Sequence, residues 1–318
     1  MTTRFLSAVF FLAAAGVPLA RAWDPVGHML TMSIALGDLT PKARTELEAT
    51  ISRFNEREKP DAPYDPVTIP CWMDDVRART REFNEWHYVN LPFTRDGLPA
   101  PEGSRFAPDV IWGVKRCGEI IRAGAIEPGI DRDQAVVMLL HLFGDIHQPL
   151  HTTNRNDAGG NRVAISNLED EQSDLLFTKG GNLHFFWDTS YRRAFKGGKA
   201  GVSYSPPLYE RERPVAGHMA ARALVDQQAA ILRKTHPRAS FENRNVLDPA
   251  AIAGESHTLG FDLAYGKLPA AGDAAAHALD EPYTAESRMC GERRIVLAGY
   301  RLADLLNGLL DPPAARRP

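Results

Sequence analysis

Five histidines and three aspartates in this chain are spaced to hold metal. The densest group is HLFGDIHQPLH, which carries His141, Asp145 and His151, and HFFWD follows with His184 and Asp188. Residues four apart in an α-helix lie one turn above another on one face, so His141 can converge with Asp145, and His184 with Asp188. Pro149 should end the first helix and free His151 to turn back towards the same place. Imidazole with carboxylate is a zinc donor set. Further donors stand at His28 in WDPVGH, Asp74 in CWMDDVR and His87 in EWHYVN. Cys71, Cys117 and Cys290 are too few and too scattered for a thiolate site, so the ligands are nitrogen and oxygen. His147 is six residues from His141, about 240° around a helix, and should point away from the metal face. A terminal amine is a further ligand type, because with an ordinary pKa of about 8 it yields its proton to a metal readily. Trp23 offers one only if the chain is cut after Ala22.

Such a cut is expected. An apolar run over residues 5–19 follows Arg4 and precedes Ala20-Arg21-Ala22, the pattern of a cleaved signal peptide. Residues 1–22 are read as that leader and residues 23–318 as a single large domain. No later stretch approaches the roughly 20 apolar residues of a membrane helix, so a secreted or periplasmic protein without a membrane anchor is expected. In an oxidising compartment one disulfide plus one free thiol is the simplest outcome for three cysteines, and the sequence does not choose the pair.

The chain has 318 residues, 44% hydrophobic and 24% charged, ordinary for a globular protein with a large core. Its formal net charge of −3 excludes a nucleic-acid binder that relies on a basic surface. A polyanionic substrate would need bound metal to supply positive charge locally.

The elements that must position these donors read as mostly α. Apolar stripes at helical spacing run over 29–39, 42–54, 107–123, 133–148, 218–233, 250–264 and 293–310. Strand-like pieces are confined to 87–91 and 162–165, and proline- and glycine-rich connectors to 60–70, 92–101, 154–160 and 196–207. The tail from Asp311 is expected to fray.

Taken together, WDPVGH, WMDDVR, HYVN, HLFGDIHQPLH, GGNLHFFWD, GESHTLGFDLAYG and GYRLADLLN make the chain resemble the zinc-dependent, single-strand-specific nucleases of fungi and plants. These share a multi-helix fold with zinc-dependent bacterial phospholipase C. The resemblance spans nearly all of the expected mature chain, and nine ligand positions match in identity and order.

That resemblance implies three Zn²⁺. Asp74, His87 and His141 would hold one, Trp23 and His28 a second, with Asp145 bridging the two, and His151, His184 and Asp188 a third. In that family a hydroxide between the bridged pair attacks phosphorus and the third zinc steadies the leaving 3′ oxygen, in keeping with what zinc does to water and to alkoxides. Arg77 matches an arginine that faces the phosphate, and Tyr88 the aromatic on which a base stacks. Asn90 stands where fungal members carry an aspartate at the base edge, so their base preference does not transfer. Gly181 and Asn182 precede His184 as in the family and are expected to shape the loop there. The implied activity is hydrolysis of single-stranded DNA and RNA to 5′-phosphate products, with 3′-nucleotidase activity, by a monomer.

Taken singly, each of these residues has a plain structural explanation: a hydrogen-bonded core histidine, a capping aspartate, a core tryptophan. Only the joint match favours ligands. Two other functions compete, a phospholipase C acting on phospholipid head groups and a non-catalytic zinc-binding homologue. The short gap from Trp23 to His28 and a last metal pair ending in aspartate rather than glutamate favour the nuclease, and the intact Arg77 and Tyr88 favour catalysis.

Overall fold

The computed structural model describes residues 23–77, 80, 82–94, 108–123, 129–167, 181–191, 214–269 and 275–312. The leader expected over 1–22, the connector 196–207, most of the connector 92–101 and the end of the tail from 313 lie outside them.

Helices dominate. In chain order they are α1 (Pro25–Leu36), α2 (Pro41–Glu58), α3 (Trp72–Arg77), α4 (Val110–Ala123), α5 (Arg132–Asp145), α6 (Leu183–Thr189), α7 (Pro214–Thr235), α8 (Pro249–Leu259) and α9 (Glu281–Leu310). Single 3₁₀ turns occupy Ile69–Cys71, Asn84–His87 and Pro149–His151, and a π-helical turn, Gly260–Tyr265, continues α8. Strands β1 (Ala164–Ile165) and β2 (Gly181–Asn182) pair antiparallel, Ala164 opposite Asn182.

Two helices are buried on every side. In α1 every residue but Ser33 is buried, and in α5 burial is unbroken from Ala135 to Asp145. A helix apolar all round belongs in a core. Both begin with aspartate caps: Asp24 accepts from the Gly27 N–H, with Pro25 at the first position, and Asp131 accepts from the Gln134 N–H. Around them, α1 packs on α7 and α9, and α5 on α2 and α4.

The core has two parts. The larger includes Met29, Leu30, Trp72, Met73, Trp86, Leu140 and Leu142, immediate neighbours of His28, Asp74, His87 and His141. The smaller includes Leu150, Leu183, Phe186 and Trp187, neighbours of His151, His184 and Asp188. The metal donors therefore stand beside residues of both apolar clusters.

Two expectations fail. Residues 87–91 form no strand: His87 closes a 3₁₀ turn, and Tyr88 is extended at φ −147° and ψ 165°. Its neighbour is the irregular chain after His151, so only scattered bonds form, Val89 N–H to His151 O at 2.8 Å and Asn154 N–H to Leu91 O at 3.0 Å. The expected disulfide is also absent, since all three cysteines are free thiols. Cys71 and Cys117 are buried in the larger apolar cluster, whereas Cys290 packs against the smaller one.

Candidate metal centre

Helix α1 contributes His28, α3 Asp74, the turn after it His87, and α5 both His141 and Asp145. Asp145 is fully buried, and three imidazoles surround its carboxylate. His141 Nε2 lies 3.1 Å and His87 Nδ1 3.0 Å from Oδ2, while His28 Nε2 lies 3.3 Å from Oδ1. The rings of His28 and His141 stack with centroids 3.9 Å apart. Room for this stack comes from Gly144, where a Cβ would sit 2.9 Å from His28 Nδ1.

The second group forms on the smaller cluster. His151 Nε2 and His184 Nε2 lie 3.8 and 3.7 Å from opposite oxygens of Asp188. Asn182 caps α6 by accepting from the Phe185 N–H, which starts the helix one residue before His184. Backbone carbonyls fix three of the rings: His141 Nδ1 donates to Pro70 O, His151 Nδ1 to His87 O and His184 Nδ1 to Gly159 O, each at 2.7 Å. A carbonyl only accepts, so each of these nitrogens carries the hydrogen and Nε2 faces the site, as ligand histidines are normally held. Gly159 must be glycine, since it has φ +62° and a Cβ there would lie 2.7 Å from Leu150 O.

Donors therefore gather in three sets: Asp74, His87 and His141; His28, His141 and Asp145; and His151, His184 and Asp188. Within each set one ligand atom per residue lies within 4.8 Å of the others. The residues fit metal on a further ground. Both ring nitrogens of His28, Nε2 of His87 and Oδ1 of Asp74 and of Asp145 are buried without a hydrogen-bond partner. Each such atom costs about 1–3 kcal/mol if left unsatisfied. So many in one place call for a cation.

Electrostatics agree. Burial alone would raise the Asp145 carboxyl, yet His141, His28 and His87 hold it well below the ordinary range. Asp74 is likewise lowered against its burial, by His141, His87 and Arg77. Burial pushes His87 down to about 4, and lowers His28. His141 is the exception, raised against its burial by Asp145. At Asp188 burial outweighs the hydrogen bond from Gln148 and pushes the carboxyl well up.

Trp23 is fully buried. Its indole N–H donates to Gly144 O at 3.1 Å, and its ring meets Tyr191 edge-on at 5.9 Å. It thus abuts Gly144, the residue that also touches His28 and precedes Asp145.

Comparison with known families matches the S1/P1 Nuclease model over residues 23–311. The chain belongs to the S1/P1 nuclease family. Endonuclease 2 of Arabidopsis thaliana is 26% identical over 191 residues, covering 57% of this chain and 59% of that protein. Endonuclease 1 of the same plant is 27% identical over 203 residues, 59% of each chain. Nuclease S1 of Aspergillus oryzae is 34% identical over 86 residues, 26% of each. The matched stretch thus spans about 59% of the length of the two plant relatives.

The remaining residues singled out in this S1/P1 nuclease chain lie close by. Arg77 is buried at the end of α3, its Nε donating to Asn84 Oδ1 at 3.1 Å. Its Nη1 lies 3.7 Å from Asp74 Oδ1 and has no hydrogen-bond partner. Tyr88 and Asn90 are half-buried on either side of buried Val89, so in the extended segment they share one face. His147 joins no donor set: Nδ1 donates to Phe143 O at 2.7 Å, and Nε2 accepts from Arg301 at 3.2 Å.

Behind the centre lies a buried network that the sequence did not suggest. Past the end of α5, Ser256 donates to Ile146 O at 2.6 Å and Arg294 Nε to His147 O at 3.0 Å, satisfying carbonyls beyond the helix end. Arg301 and Arg294 both pair with Glu255. Their seven-residue spacing on α9 places them on one helix face, which was the available signal. Asn84 and Gln148 were also missed.

Proposed function

We propose that this chain is an exported phosphodiesterase that hydrolyses single-stranded DNA and RNA to 5′-phosphate products and removes phosphate from 3′-nucleotides, using three Zn²⁺. The reading is carried by the three buried donor sets, two of which share His141 and meet at Asp145. Trp23, His28 and Asp145 would hold one ion; Asp74, His87, His141 and Asp145 the next; His151, His184 and Asp188 the third. When bound, zinc supplies an activated water and charge stabilisation for the entering and leaving oxygens of an in-line displacement.

The chain's own residues do the rest. The buried walls from both apolar clusters keep bulk water from the donors, so electrostatic attraction to phosphate is little screened. Arg77, braced by Asn84, presents an unpaired Nη1 beside Asp74 and is assigned to an equatorial phosphate oxygen, where a planar guanidinium suits spread charge. Tyr88 is assigned as the stacking platform for one base. Stacking is worth about 1–3 kcal/mol and needs an unpaired base, which accounts for single-strand preference without a basic groove. Asn90, on the same face, is assigned to the base edge, where its amide both donates and accepts.

Residues 1–22 are read as a cleaved leader, which gives a secreted or periplasmic protein, itself read as a monomer; among the described residues no helix is long and apolar enough to cross a membrane. The test is the protein cut after Ala22, with zinc, offered single-stranded DNA, RNA, a 3′-nucleotide and phosphatidylcholine in parallel. Turnover of the first three supports the reading. Hydrolysis of the phospholipid alone, or of nothing, overturns it.

A further inference from the structure

Gln148 is fully buried, and three of its four polar groups meet proposed ligands. Its backbone N–H donates to Asp145 O at 2.9 Å, and its carbonyl accepts from the His151 N–H at 3.1 Å. Its side chain spans two elements. Oε1 accepts from the Leu150 N–H, capping the turn Pro149–His151 that carries His151, and Nε2 donates to Asp188 Oδ1 at 2.6 Å. The amide's orientation follows from the chemistry, because the Leu150 N–H can meet only the oxygen, and the NH₂ must then face Asp188.

We propose that Gln148 is a positioning residue for the third metal, a strut that fixes the turn of His151 against the carboxylate of Asp188. The inference rests on the reading of His151, His184 and Asp188 as one zinc site. The carboxylate has two oxygens, one near each histidine: Oδ1 is 3.8 Å from His151 Nε2 and Oδ2 is 3.7 Å from His184 Nε2. A carboxylate free to rotate about its Cβ–Cγ bond would lose this split. The bond from Gln148 to Oδ1 holds the plane of Asp188 and directs Oδ2 towards the metal position with His184. A group outside the ligand set that orients a ligand commonly changes metal affinity by about 10–100-fold when removed.

Two substitutions separate this role from plain packing. Gln148→Glu keeps an oxygen for Leu150 but turns a donor to Asp188 into a second acceptor. Gln148→Met keeps the shape and removes both bonds. The experiment counts zinc in the wild type and in both variants, then titrates each with a competing chelator, with thermal midpoints of the metal-free proteins as the control for packing. Hydrolysis is measured at limiting and at excess zinc. Expected are three zinc in the wild type, and in both variants one ion weakened by about 10–100-fold while the other two are unmoved. Activity lost at limiting zinc should return at excess zinc. The proposal is overturned if both variants hold three zinc with wild-type affinity, or if all three ions weaken together with a lowered metal-free midpoint, which marks a packing residue. A wild type holding fewer than three zinc removes the metal reading itself, and this inference with it.

Discussion

Nε2 of His141 and Nδ1 of His87 lie 2.9 Å apart, and the first of these nitrogens is committed as an acceptor when its ring is neutral, because Nδ1 of His141 donates to Pro70 O. Both nitrogens face Asp145 Oδ2, at 3.1 and 3.0 Å, a position that a bound cation would share with them. Asp145 raises His141 against its burial, so the pair favours positive charge there, which a bound zinc would supply. Metal binding should therefore also be folding energy. Exhaustive chelation is expected to abolish hydrolysis and lower the thermal midpoint, and elemental analysis of the untreated protein should find about three zinc per chain. Full activity with zinc shown absent would refute the assignment.

Asp145 and His147 are two residues apart and differ in what they face. Asp145→Asn leaves His28, His87 and His141 around a neutral amide, so two cations lose the charge between them. His147→Ala instead removes the acceptor for Arg301, which keeps Glu255 as partner. The expected result is loss of zinc and turnover in Asp145→Asn, against a lowered thermal midpoint with zinc retained in His147→Ala. Equal turnover in the two folded variants would remove the bridging role.

Much of this site was legible because helical spacing is a local signal. Four-residue offsets announce His141 with Asp145 and His184 with Asp188, whatever the rest of the chain does. Where α5 ends was legible too, although it stops at Asp145, four residues ahead of Pro149. Helices α3 and α6, with 6 and 7 residues, are too short to show a period. The first half of α9 was missed because Glu281–Arg293 is largely polar, yet Asp280 caps it and Pro282 sits in its first turn. The brace on α5 was hidden for a different reason. Arginine is almost never fully buried without a partner, and the partner of Arg301, Glu255, is distant in sequence and announced by no motif.

Acid should destabilise the metal-free protein through its buried histidines. Burial lowers His28 and His147 and brings His87 to about 4, below the 6.5 of an unfolded histidine. Between those values the unfolded chain binds more protons, so stability rises with pH and is lost as pH falls below 6.5. Asp188 has the opposite sign, since burial raises its carboxyl above the unfolded value. His141 is raised, so the stability it adds is already present well below 6.5 and gives little slope over this window. Unfolding free energies from urea titrations in chelator should climb from pH 4 to 6.5, by about 1.4 kcal/mol per pH unit for each net proton. His147→Gln should flatten the climb and Asp188→Asn should steepen it. A flat profile for the parent protein would contradict the burial argument.

Tyr88→Ala should weaken single-stranded substrates by about 1–3 kcal/mol in the specificity constant while zinc content stays unchanged. The side chain is half-buried outside the donor sets, so its removal leaves every ligand in place. An unaltered specificity constant for oligonucleotides would mean that the base stacks elsewhere.

Extending the chain ahead of Trp23 by one residue should cripple catalysis without unfolding the protein. The indole is anchored on Gly144 O and the following amide, Asp24 N–H, donates to Asp188 O at 3.3 Å, so the start of the proposed mature chain is pinned beside both metal regions. An added residue converts a basic amine into an amide, which is no longer a ligand, and it fills space next to His28 and Gly144. The ion proposed for Trp23, His28 and Asp145 should then be lost or loosely held. His151, His184 and Asp188 stand on the smaller apolar cluster and should still bind zinc. The comparison is between protein exported and cut after Ala22 and protein made with one extra methionine before Trp23, with zinc counted and single-strand cleavage measured on both. The extended form is expected to carry about two zinc and negligible activity. Equal zinc and equal turnover would make Trp23 a core aromatic and nothing more.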